Sequence, residues 1–126
     1  MRHVAVWIDH LEAKIFHIEK ETFTESTLEP RRHVRRHSTT TAEHDHPADA
    51  EHFYHAVVRA LEGAEEVLIV GPATAKLELF KHIQVHDHAL VSKIVGVETV
   101  DHPTDKQLAA HARKYFRAVD SGNSSV

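Results

Sequence analysis

The chain has 126 residues, 41% of them hydrophobic, and no cysteine. That suffices for one domain with a single core, and it rules out disulfides, thiol nucleophiles and thiolate metal sites. The formal net charge of −4, with 14 histidines counted as neutral, argues against a protein that coats nucleic acid over its whole surface, and the histidines add positive charge on mild acidification.

The opening MRHVAVWIDHLEAK breaks its short apolar run at Asp9 and His10, unlike a secretory signal. No window reaches the roughly 20 apolar residues that span a bilayer. A cytoplasmic protein without a membrane partner is expected. His3 to Ile8 (HVAVWI) reads as a buried central strand, followed by a tight turn at Asp9 to Leu11. Ala13 to Ile18 and Phe23 to Leu28 read as two more strands, joined closely enough to be antiparallel neighbours. Residues 31–47 (RRHVRRHSTTTAEHDHP) show no apolar period and read as an exposed, flexible loop, basic and His-rich.

Asp49 suits the N-cap of a helix to Glu62, burying Phe53, Ala56, Val57, Ala60 and Leu61, with Gly63 beyond its end. Glu66 to Val70 (EVLIV) predicts a strand buried on both faces. After the Gly71-Pro72 turn a helix is expected from about Thr74 to Val85, burying Leu77, Phe80 and Ile83. Ala89 to Ser92 suits one further helical turn, and Lys93 to Val100 the last strand. The capping box Thr104 to Gln107 opens a final helix with Leu108, Ala112, Tyr115, Phe116 and Val119 on its core side. One α/β domain over 1–119 is expected, with 120–126 a disordered tail. Three antiparallel strands followed by alternating helices and strands imply a mixed five-stranded sheet, the later strands parallel to the first.

Residues 67–76 (VLIVGPATAK) and 79–83 (LFKHI) carry a resemblance. An apolar strand, Gly-Pro, a short spacer, Lys and an apolar helix face with Phe resemble the middle domain of the archaeal and eukaryotic class-1 release factors and Pelota. Val6 to His10 and Val95 to Glu98 are similar to the small bacterial relatives of that domain. The resemblance implies a ribonuclease-H-like α/β fold of the translational-machinery type, and the ribosome, tRNA or rRNA as partner. In release factors the loop after the third strand carries Gly-Gly-Gln, which helps water cleave peptidyl-tRNA. Here glycines stand only at 63, 71, 96 and 122, so peptide release by that route is not expected, whereas binding without catalysis is.

Arg31, Arg32, Arg35 and Arg36, with His33 and His37, form a cluster suited to phosphate contacts, because guanidinium forks pair with phosphate oxygens and flexible arginine-rich segments order on RNA. Lys76 and Lys81 are candidate helpers near a helix N-terminus. The bland alternative is a solvated charge run balanced by Glu25, Glu29 and Glu43. Other readings stay open. A metal-dependent hydrolase would use Asp9, with Glu12, Glu66, Glu98 and Asp101 near other strand ends, or the pairs His44/His46, His86/His88, His52/His55 and His82/His86. Chance spacing among so many histidines, and Asp9 bonding its own turn, are the simpler accounts. A stress or protein-interaction module sensing acidification is the third, with a homo-oligomer compatible with it. No catalytic residue, metal ligand or cofactor is assigned from the sequence, since Gly71 to Lys76 lacks a phosphate-loop pattern and Ser38 lacks a nucleophile elbow.

Overall fold

A computed structural model of the chain describes residues 2–30 and 47–122. The elements are β1 (His3–Ile8), β2 (Ala13–Ile18), β3 (Phe23–Leu28), α1 (Pro47–Ala60), β4 (Glu66–Gly71), α2 (Ala75–His86), α3 (His88–Val91), β5 (Ile94–Thr99) and α4 (Asp105–Gly122). They build one five-stranded sheet in the order β3-β2-β1-β4-β5. β1 pairs antiparallel with β2, and β2 with β3, while β4 lies parallel to β1 and β5 parallel to β4. This is the mixed α/β sheet that the sequence pattern implies.

Beyond His3 and Glu66 at their starts, the central strands β1 and β4 carry only apolar side chains because helices cover both faces. Val4, Val6, Ile8, Val67 and Ile69 point to one face and pack under α1, α2 and α3 through Phe53, Val57, Leu61, Leu79, Ile83 and Leu90. Ala5, Trp7, Leu68 and Val70 point to the other, where α4 packs through Leu108, Ala109, Ala112 and Phe116. The two edge strands are less buried: β3 alternates between half-buried and exposed positions, and β5 is half-buried along most of its length.

Several local expectations are corrected. α1 begins at Pro47, two residues before Asp49, as the fixed φ of proline allows in a first turn. Its core face is Phe53, Tyr54, Val57 and Val58, continued by Leu61 just past its end, with Ala56 exposed. In α2 the buried residues are Ala75, Lys76, Leu79 and Ile83; Leu77 is exposed and Phe80 half-buried. Apolar side chains lie on more than one side of this helix, so composition alone could not orient it. The tail does not begin at Asp120, because α4 continues to Gly122; residues 123–126 and the 31–46 part of the expected loop lie outside the described residues. Gly63 has φ +87°, the left-handed conformation expected of a glycine closing a helix.

Candidate functional site

The carboxyl ends of the parallel strands gather three turns, the usual place for a ligand crevice in an open α/β sheet. β3 ends there too: Leu28 pairs with Ala13, and Ala13 with Ile8. β3 therefore ends at the same end of the sheet as β1 and β4, two and three strands away from them.

Each turn has a local cause. The Asp9 Oδ1 accepts hydrogen bonds from the backbone N–H groups of Leu11 (2.8 Å) and Glu12 (2.9 Å), so Asp9 is the turn former the sequence suggested. At Gly71 a Cβ would lie 2.2 Å from the carbonyl oxygen of Ile8; only glycine lets β4 end this close to β1. In the following turn the Lys76 ammonium donates to the Ala73 carbonyl oxygen. Lys76 is buried and turned back onto its own turn, unlike the outward role expected for it, whereas Lys81 is exposed.

Above these turns Glu78 ties three elements together. Its Oε1 accepts a hydrogen bond from the Tyr54 hydroxyl (2.6 Å), and His10 Nε2 lies 3.3 Å from the same oxygen. The Tyr54 bond, helped by His10 and Thr74, holds the Glu78 carboxyl below its ordinary range against the opposing effect of burial. Burial and Glu78 together raise the Tyr54 phenol far above its usual value, so it stays a donor.

Next to Tyr54 lies a histidine group on the outer side of α1 and α2. The rings of His82 and His86 lie 4.4 Å apart between centroids, tilted by 39°, and His86 Nε2 is 3.7 Å from Glu51 Oε2. His55 is 6.4 Å from His82 between ring centroids. Burial, then the charges of His86 and His55, lower the His82 pKa against the pull of Glu51. At the opposite sheet end, His3 Nε2 lies 3.2 Å from Glu66 Oε1 and 3.3 Å from Asp120 Oδ2. Only the Asp120 contact is aligned as a hydrogen bond. Burial and the neighbouring Asp120 raise the Glu66 carboxyl.

The acids named from sequence do not converge. Glu98 Oε1 pairs with His111 Nε2 at 2.8 Å, Asp101 with the adjacent His102 at 3.0 Å, and Glu66 sits at the far end with His3. Among the described residues, two groups place three donor atoms close enough to share a cation: Glu51/His82/His86 and His3/Glu66/Asp120. Asp9 belongs to neither. The pair His82/His86 was visible as a helical spacing; the spacing carried no sign that Glu51 or Asp120 would join a histidine. Arg31, Arg32, His33, Arg35, Arg36 and His37 lie outside the described residues, as do His44, His46 and Ser38. No helix among the described residues is long and apolar enough to cross a membrane.

The sequence matches no protein-family model and no curated protein. Solved structures do match. Archaeoglobus fulgidus Pelota superposes with a TM-score of 0.61 at 13% identity, over 98% of this chain and 40% of that one. Thermoplasma acidophilum Pelota gives 0.57 at 18% identity, over 84% of this chain and 30% of that one. An archaeal translation termination factor, aRF1, gives 0.52 at 15% identity, over 98% and 39%. The chain thus spans well under half the length of these proteins, and identities this low establish architecture rather than activity. What the chain shares with Pelota and aRF1 is the α/β fold of one part of each, with its mixed five-stranded sheet.

Proposed function

We propose that the chain is a non-catalytic, translation-associated module that binds the ribosome or its RNA, in the cytoplasm, through the basic segment between β3 and α1. The observation that carries this reading is the fold shared with Pelota and a termination factor, together with four arginines within residues 31–36 of the connection after β3. Arg31, Arg32, Arg35 and Arg36 supply phosphate-directed forks, His33 and His37 add charge on acidification, and exposed Lys81 is a further contact. Lys76, spent on the Ala73 carbonyl, supports the turn instead.

Catalysis of peptide release is not part of the reading. With glycines only at 63, 71, 96 and 122, no adjacent pair gives the unhindered backbone that a Gly-Gly-Gln loop uses.

Co-sedimentation with ribosomes across a salt series tests the proposal. Wild-type binding should weaken with salt, and replacing the four arginines by Ala should flatten the log–log slope by about 0.7–0.9 for each phosphate no longer neutralised. Absence of binding at low salt, or an unchanged slope in the quadruple variant, refutes it.

A further inference from the structure

We propose that Glu51, His82 and His86 form a surface site for a first-row divalent transition metal, Zn²⁺ foremost, that clamps α1 to α2. One donor atom from each residue lies within 4.8 Å of the other two. A tetrahedral zinc site with bonds of about 2.0–2.1 Å sets its donors roughly 3.3 Å apart. The His86 to Glu51 separation, 3.7 Å, is already near that value. Glu51 and His86 are exposed, so both have the side-chain freedom to close the remainder, while the His82 ring is held between His86 and Tyr54 at centroid distances of 4.4 and 6.0 Å.

A second observation separates this group from chance spacing. The Nε2 atom of His82 is buried and has no hydrogen-bond partner among the described residues. A sheltered imidazole nitrogen without a partner carries a desolvation cost, which a metal bond to that nitrogen would remove. In the other three-residue group Glu66 Oε1 is likewise buried without a hydrogen-bond partner, but that group offers one imidazole beside two carboxylates, and its His3 Nε2 is already engaged with Asp120. Two imidazoles and one carboxylate are a donor set that suits Zn²⁺ and its neighbours in the first row better than Ca²⁺ or Mg²⁺, which prefer oxygen alone. The fourth position falls to water or to His55, one turn from Glu51 on α1.

The site is independent of the RNA-binding reading, because none of its residues belongs to the basic segment. It is tested on the full chain without an affinity tag, stripped with chelator and titrated with ZnCl2 by calorimetry. Co²⁺ absorption serves as the reporter of tetrahedral geometry. Wild type should bind one more Zn²⁺ than His86→Ala or Glu51→Gln, or bind that ion at least tenfold more tightly, with the tetrahedral Co²⁺ band lost in both variants. His88→Ala, at an exposed neighbour outside the group, should titrate like wild type. Both test residues are exposed, so the fold should survive, and far-UV circular dichroism checks that it does. The proposal is overturned if His86→Ala and Glu51→Gln bind like wild type, or if the site disappears instead with His44→Ala and His46→Ala.

Discussion

The two faces of the sheet are held by different means. On one, three helices spread a broad apolar layer over Val4, Val6, Ile8, Val67 and Ile69, and polar ties gather at its rim around Tyr54 and Glu78. On the other, α4 alone covers Ala5, Trp7, Phe16, Leu68 and Val70. That helix is fastened along its length. Lys14 Nζ reaches Asp105 Oδ1 at 3.3 Å near its start, Arg113 donates to the carbonyls of Glu19 and Thr22 at 3.0 Å each, and Asp120 meets His3 near its end. A single helix has no neighbour to share a defect, so substitutions beneath α4 should cost more than matched ones beneath α1 and α2.

The sharpest test pairs Leu108→Ala with Leu79→Ala, the same change on the two faces. Both side chains are essentially buried, at 2% and 0% exposure. Each should cost about 2–5 kcal/mol, with Leu108 toward the upper end, since cavity cost depends on how well the surroundings collapse. Urea denaturation measures both. Leu79→Ala matching or exceeding Leu108→Ala would break the contrast.

A second probe crowds the α4 face rather than emptying it. A Cβ on Gly96 would lie 2.1 Å from the Tyr115 hydroxyl oxygen. Gly96→Ala must therefore push Tyr115 off its hydrogen bond to the Val95 carbonyl, now 3.2 Å. The expected cost is about 1–3 kcal/mol. Combined with Tyr115→Ala, the loss should be less than the sum of the two single losses, because the clash is gone. Strict additivity in a double-mutant cycle would remove this account.

On the three-helix face the effect is smaller and depends on pH. Tyr54→Phe deletes the 2.6 Å bond to Glu78 and should cost about 1–2 kcal/mol near neutrality. Glu78 has a folded-state pKa below its ordinary value. Its contribution is therefore present above the unfolded carboxylate pKa of about 4.3 and lost as pH falls through the folded value. Wild type and Tyr54→Phe should thus converge in stability on acidification, as thermal melts from pH 7 to 3 will show. A constant gap across that range would mean the carboxylate is not the partner that matters.

How far these features were legible in the sequence follows from how local their causes are. The bounds of β1, β2 and β3 were readable because short apolar or Thr-rich runs are closed by turn residues, Asp9 among them, whose bonds are to their immediate neighbours. Helix faces were less so. In α2, Leu77 and Val85 are 54% and 67% exposed while Leu79 and Ile83 are buried, and choosing between such sets requires knowing where the sheet lies. The histidine spacing 82/86 was visible, but Glu51 joins it only through the crossing of two helices, a relation no local pattern encodes. Asp120 was misplaced for the same reason: its partner His3 lies at the far end of the chain.

The smallest expected effect tests whether α4, alone on its face, relies on its own cap. Thr104 and Gln107 form the reciprocal box predicted from sequence, with Gln107 N–H donating to Thr104 Oγ1 (3.1 Å) and Thr104 N–H to Gln107 Oε1 (2.9 Å). Thr104→Ala should cost about 1 kcal/mol, and Thr104→Ser, which keeps the oxygen, only a fraction of that. Thr74, at the matching position of α2, makes no side-chain cap bond and only a long 3.4 Å bond to Glu78 Oε2, and its helix starts beside the Gly71 turn, buried at Ala75 and Lys76. Thr74→Ala should therefore cost less than Thr104→Ala in the same urea titration. Equal losses at 74 and 104 would mean that both helices are held at their starts alike, and that the difference between the two faces lies only in their apolar layers.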